Sequence, residues 1–88
     1  MDITLSHSRN PVLGWDIQVV VRADNQETIT AARVDVNGFP EIDQQISPPL
    51  NKWQKSLTQQ GQFPGDNKVL VTITNDKGEL TTDEDDWE

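Results

Sequence analysis

Cysteine is absent from all 88 residues, which excludes a disulfide staple, a thiolate nucleophile and a cysteine-based zinc site. Stability therefore has to come from packing. Histidine occurs once, at His7, and a lone imidazole without thiolates falls short of an ordinary transition-metal cage. No serine is spaced beside it as an evident nucleophile, so His7 reads as an exposed loop residue. Bases are scarce, seven Lys and Arg against fifteen Asp and Glu, giving a formal net charge of −8. That balance argues against nucleic acid and against anionic membranes, since both reward clustered Lys and Arg. No apolar run approaches the roughly 18 residues of a spanning helix, and no signal-peptide pattern follows Met1. The expectation is a chain without membrane insertion or an export signal of its own, although a domain cut from a larger exported protein would read the same way. Hydrophobic residues make up only 33%, so the core is expected to be thin, and the length suits one domain.

The negative charge is uneven. Residues 1–78 hold nine acids against seven bases, whereas residues 79–88 hold six acids (Glu79, Asp83, Glu84, Asp85, Asp86, Glu88) and no base. The domain is expected over residues 1–82, with residues 83–88 an acidic, solvated or frayed end.

What the chain does have is alternation. Val69, Val71 and Ile73 share one face while Thr72 and Thr74 take the other. This run is framed by Pro64-Gly65-Asp66-Asn67 and by Asn75-Asp76-Lys77-Gly78, and Glu79-Leu80 restarts a strand, which spells a β-hairpin. The strongest period-2 run is Trp15, Ile17, Val19, Val21, Ala23. Ile3 and Leu5 mark a short first strand, interrupted at Ser8-Arg9-Asn10-Pro11. Farther on, Ile29 and Ala31 share one phase but Ala32, Val34 and Val36 share the other. A bulge near Ala31-Ala32 would turn both sets inward, with a short helix the competing reading. Asn37-Gly38 suits a tight hairpin turn, Phe39 to Ile42 a brief edge strand holding Pro40, and Ser47-Pro48-Pro49 a rigid bend. Lys52 to Thr58 is expected to be a strand that buries Trp53.

These elements predict an all-β fold, an antiparallel two-sheet sandwich of about seven strands. Trp53-Gln54-Lys55-Ser56-Leu57, then Gly61, then Pro64-Gly65-Asp66-Asn67-Lys68-Val69-Leu70-Val71-Thr72-Ile73 and Asp76-Lys77-Gly78 follow in an order that resembles the second half of bacterial immunoglobulin-like domains. The resemblance covers residues 53–80 and implies a monomeric, non-enzymatic binding or spacer module. It further implies a place in a larger extracytoplasmic or cell-surface protein, with a protein or carbohydrate partner. Asn10-Pro11-Val12-Leu13-Gly14-Trp15 resembles the Asn-Pro-x-x-Gly-aromatic loop of chagasin-like inhibitors, which are also immunoglobulin-like sandwiches. That would make Asn10, Leu13 and Gly14 partner-binding residues of a small stand-alone protease inhibitor or immunity-type protein, which would use either the Asn10 to Trp15 loop or the acidic tail. The plainer reading is that Asn10-Pro11 turns the chain and Gly14 readmits it to a strand.

Three further residues could hold calcium. Asp83 and Asp85 share a face if the end is a strand, and Asp76, Asp66 or Asp35 would have to complete the shell, since a useful site needs about six to eight oxygens. Trp87 stands among acids next to the last residue. Either the final strand reaches it and it packs on the end of the fold, or it anchors a partner; tryptophan serves both in cores and at interface hot spots.

Overall fold

A computed structural model describes residues 1–12, 14–60 and 67–87, and of residues 59 and 60 the backbone only. Leu13 and the Gly61 to Asp66 stretch, with the expected Pro64-Gly65 turn, lie outside the described residues. Seven strands follow one another: β1 (Asp2–Asn10), β2 (Gly14–Arg22), β3 (Ile29–Val36), β4 (Phe39–Leu50), β5 (Lys52–Gln60), β6 (Asn67–Asn75) and β7 (Leu80–Trp87). They form two antiparallel sheets, one ordered β1-β2-β5 and the other β4-β3-β6-β7. The chain is thus an all-β, two-sheet sandwich. It changes sheet at β2 to β3, at β4 to β5 and at β5 to β6, and stays in one sheet across its three hairpins.

The period-2 runs supply the interior. Ile17, Val19 and Val21 of β2 meet Val69, Val71 and Ile73 of β6 in one cluster with Ile29, Ala32, Val34, Val36 and Trp53, and Gln18 between them stays exposed. β-Branched side chains dominate this list, as a pleated, half-buried surface favours. Ile3 and Leu5 of β1 and Leu57 of β5 pack on its margins. Lys55 occupies the inward phase of β5, opposite Val19 and between Trp53 and Leu57, yet it remains exposed because β5 borders its sheet.

The broken phase in β3 is a bulge, one residue earlier than expected. Ile29 pairs with Asn75 and Ala31 with Thr74, so Thr30 is the extra residue. Its hydroxyl donates toward the carbonyls of Thr74 (3.2 Å) and Asn75 (2.9 Å), which fastens the bulge to β6. Ile29 and Ala32 both point inward as a result, whereas Ala31 does not join the core.

Three strands outrun their expected ends, β5 by two residues, to Gln60. β1 pairs with β2 through Asn10, because Ser8, Arg9 and Asn10 all retain a donor and only Pro11, in the turn, lacks one. β4 continues past Ile42 to Leu50: its pairing with β3 jumps from Gln45 opposite Ala31 to Leu50 opposite Ile29, so Ser47, Pro48 and Pro49 bow out of the ladder instead of ending the strand. Ile46, within that bow, reaches the core. The Asn37-Gly38 turn has φ of 50° and 85°, the left-handed pair that a two-residue hairpin requires.

β7 takes up the acidic end. Register with β6 places Thr81, Asp83, Asp85 and Trp87 on the inward side, opposite Ile73, Val71, Val69 and Asn67, and Glu84 and Asp86 on the outer side. The stretch expected to be a solvated or frayed tail is thus a paired edge strand to Trp87. The sandwich measures 41 × 19 × 18 Å, and alternate strand directions put Met1 at one pole of the long axis and Trp87 at the other.

Candidate interaction site at the seam between β1 and β7

β1 and β7 border different sheets on the same side of the sandwich, where the valines and isoleucines give out. The inward row of β1 runs Ile3, Leu5, His7, Arg9; His7 meets the inward row of β7, and Arg9 the Trp15 ring of β2, rather than a hydrophobic layer. His7 stacks on the Trp87 indole, with ring centroids 4.2 Å apart and planes within 11°. Its Nδ1 lies 2.6 Å from an Asp85 carboxylate oxygen. Trp15 closes the group edge-on, 5.7 Å from His7 and 5.5 Å from Trp87, and the Arg9 guanidinium stands 5.9 Å from the Trp15 ring centre. Five side chains from three strands and both sheets therefore meet in one cluster.

His7 corrects the expectation of a loop residue. The residue is exposed as expected but belongs to strand β1 rather than a loop; its side chain is 30% exposed, and the alternation Ile3, Leu5 continued by one step marks its face. Trp87 packs on the end of the fold, the first of its two expected roles. Its Nε1 is buried and, among the described residues, has no hydrogen-bond acceptor.

Beside this cluster lies the turn between β1 and β2. Asn10 Nδ2 donates to both carboxylate oxygens of Asp16 (3.3 Å each), and Asn10 Oδ1 accepts from the Val12 N–H at 3.0 Å, the local side-chain bond that makes Asn a turn former. Thr58 of β5 also donates to Asp16 (3.2 Å). Gly14 has φ of 118°, a conformation that side chains other than glycine resist, and Val12 projects from the tip 85% exposed. Asp16, which organises this pole, was not singled out in the sequence because it sits on the polar face of a strand read for its apolar one.

The proposed calcium ligands are not brought together. Asp76 belongs to the turn after β6, where it accepts from the Thr28 N–H at 3.1 Å, while Asp83 and Asp85 stand opposite Val71 and Val69 toward the other pole. Among the described residues no group of three or more histidines and carboxylates gathers to hold a metal ion. Glu84 instead pairs with Lys68 at 2.9 Å, which raises the lysine pKa above its ordinary 10.5.

At the Met1 pole three charged groups, of Met1, Asp24 and Glu27, meet. The Met1 ammonium donates to Asp24 (2.6 Å) and Glu27 (2.8 Å), and these bonds raise its pKa above 8.0. Glu27 is held down at about 2, first by that ammonium, then by Asn75 Nδ2 at 3.1 Å and by the Asp24 N–H. Asn75 is buried and donates also to Glu79, while its Oδ1 accepts from the Lys77 and Glu79 N–H groups.

Compared with known protein families and with curated proteins, the chain matches no family model and no curated sequence.

Proposed function

We propose that the chain is a non-enzymatic immunoglobulin-like module that binds a partner or spaces its neighbours within a larger bacterial extracytoplasmic protein. The observation that carries this reading is the placement of Met1 and Trp87 at opposite poles of a 41 Å rod. Chain that enters at one pole and leaves at the other strings modules in line, with the turns at each pole facing the next module and the long sides free for recognition. The test is two copies joined head to tail, measured by small-angle X-ray scattering. A largest dimension near twice that of one copy is expected; a tandem no longer than a single copy, with the two folded side by side, overturns the spacer geometry.

The exposed Val12 at the tip of a turn pinned by Asn10 favours a second reading, an inhibitor that presents Asn10, Leu13 and Gly14 to a papain-like protease. Inhibition that is lost on Gly14→Ala would support it, and absence of inhibition by the parent protein would end it.

A further inference from the structure

The two sheets differ in width. Three strands, β1-β2-β5, lie on four, β4-β3-β6-β7, and the sheets meet where β1 contacts β7, so on the other side β4 reaches about one strand spacing beyond β5. Exposure records this overhang. Phe39 and Leu50 stand opposite the buried Val36 and Ile29 and so take the inward phase of β4, yet they are 65% and 39% exposed. Ile42 and Ile46 between them reach the core, so the bare positions are the two ends of β4.

β5 is the border strand beside that overhang, and its backbone is open to pairing. Its ladder with β2 runs nine pairs without a register shift and it holds no proline, whereas β4 is bowed and carries three. An antiparallel strand turns the N–H and C=O of every second residue away from its partner, and among the described residues no strand pairs with that side of β5. Its charge is of the minority sign. Lys52 and Lys55 are the only charged residues of β5, and Arg22 of β2 stands opposite Lys52, with Asp2 of β1 the one acid of that row. Among the described residues none of these three bases forms an ion pair, whereas Arg33 is held by Asp35 and Lys68 by Glu84. In a chain of formal net charge −8, this margin is thus the one that attracts acid. A strand without acid would leave the Lys55 ammonium dehydrated and unpaired; one with a carboxylate at that register supplies its partner.

We infer that the free margin of β5 is a docking edge for an extended acidic peptide, which adds as a further strand of the three-stranded sheet. Residues opposite Trp53, Lys55 and Leu57 would turn inward and those opposite Lys52, Gln54 and Ser56 outward. Added antiparallel, the partner reads apolar, polar, acidic, polar, apolar, acidic, and its two apolar side chains fall toward the bare Phe39 and Leu50 ends of β4. The inference names a partner class for the binding module proposed above and does not use the pole-to-pole geometry. The probe is a labelled, capped peptide, Thr-Val-Thr-Glu-Thr-Val-Glu, titrated to millimolar concentration against the whole chain by fluorescence anisotropy. Saturable binding that weakens with added salt is expected, with new hydrogen-exchange protection confined to amides of β5. The Lys52→Glu, Lys55→Glu double variant should weaken binding by roughly ten-fold and should instead bind the peptide whose two glutamates are replaced by lysine. Lys77→Glu, in the turn between β6 and β7, should leave binding unchanged. No binding at millimolar peptide, equal weakening by both variants, or new protection away from β5 overturns the proposal. Self-association of the parent, seen by light scattering and abolished by the double variant without any peptide binding, would also overturn it and make a second copy the occupant. A failed peptide test leaves the tandem scattering result, and so the spacer reading, untouched.

Discussion

Glu27 shows how much one exchangeable proton is tied to at the Met1 pole. Its pKa of about 2 lies below the ordinary 4.5, so the folded state favours its ionised form. That contribution is complete above pH 4.5 and is lost as the pH falls from 4.5 toward 2. In the chain with a free N-terminus the Met1 ammonium works in the opposite direction: its pKa is raised above 8.0, so its contribution is complete below pH 8 and is lost as the pH rises beyond it. Urea denaturation across pH should show a plateau between these limbs. Glu27→Gln should flatten the acid limb, and acetylation of Met1 should flatten the alkaline one. Asn75 joins this group through four hydrogen bonds, and the Asn75-Asp76-Lys77-Gly78 sequence announced the turn it serves. Its bond to Glu27 was not legible, because it connects residues 48 apart in the chain and no local pattern records such a meeting.

Among the elements, β7 depends on side chains that ordinary strand signals ignore. Its inward row is Thr81, Asp83, Asp85, Trp87, with no aliphatic residue to bury, and the His7 and Trp15 rings supply the contact that a hydrophobic layer gives elsewhere. Trp87→Ala should lower the unfolding free energy by about 1–3 kcal/mol, less than for a fully enclosed tryptophan, because the ring is partly exposed. Hydrogen exchange should locate the effect, with amides of β7 exchanging faster and those in the centre of β6 and β3 little changed. Unchanged β7 exchange would show that the ring contact does not hold the strand. The apolar alternation of β2 and β6 was readable because period 2 is a direct imprint of the pleat. The phase break of β3 was readable as a bulge, but which residue it extrudes depended on the Thr30 hydroxyl finding two carbonyls across the sheet. In β4 the two prolines suggested an end, since a missing donor stops a ladder locally; they cannot show that a strand bows and resumes pairing at Leu50.

For the whole molecule, the fold class followed from the spacing of strands and turns, while the seam between the sheets followed only from their assembly. His7 and the acidic end belong to one contact because the first and last strands border the same side, a fact of topology that neither segment carries alone. Lys55, inward in phase but exposed at a border, has the same origin. Replacing it by valine should leave the monomer folded and make concentrated solutions associate, read as growth of scattering with protein concentration; a parent and variant that behave alike would deny the lysine this role. The reason lies in how each free margin is guarded. An approaching strand from another molecule finds absent N–H groups at Pro40, Pro48 and Pro49 of β4, an ammonium it would have to dehydrate at Lys55 of β5, and interlocked rings where β1 and β7 lie. Copies can therefore meet side by side in concentrated solution without zipping into fibrils.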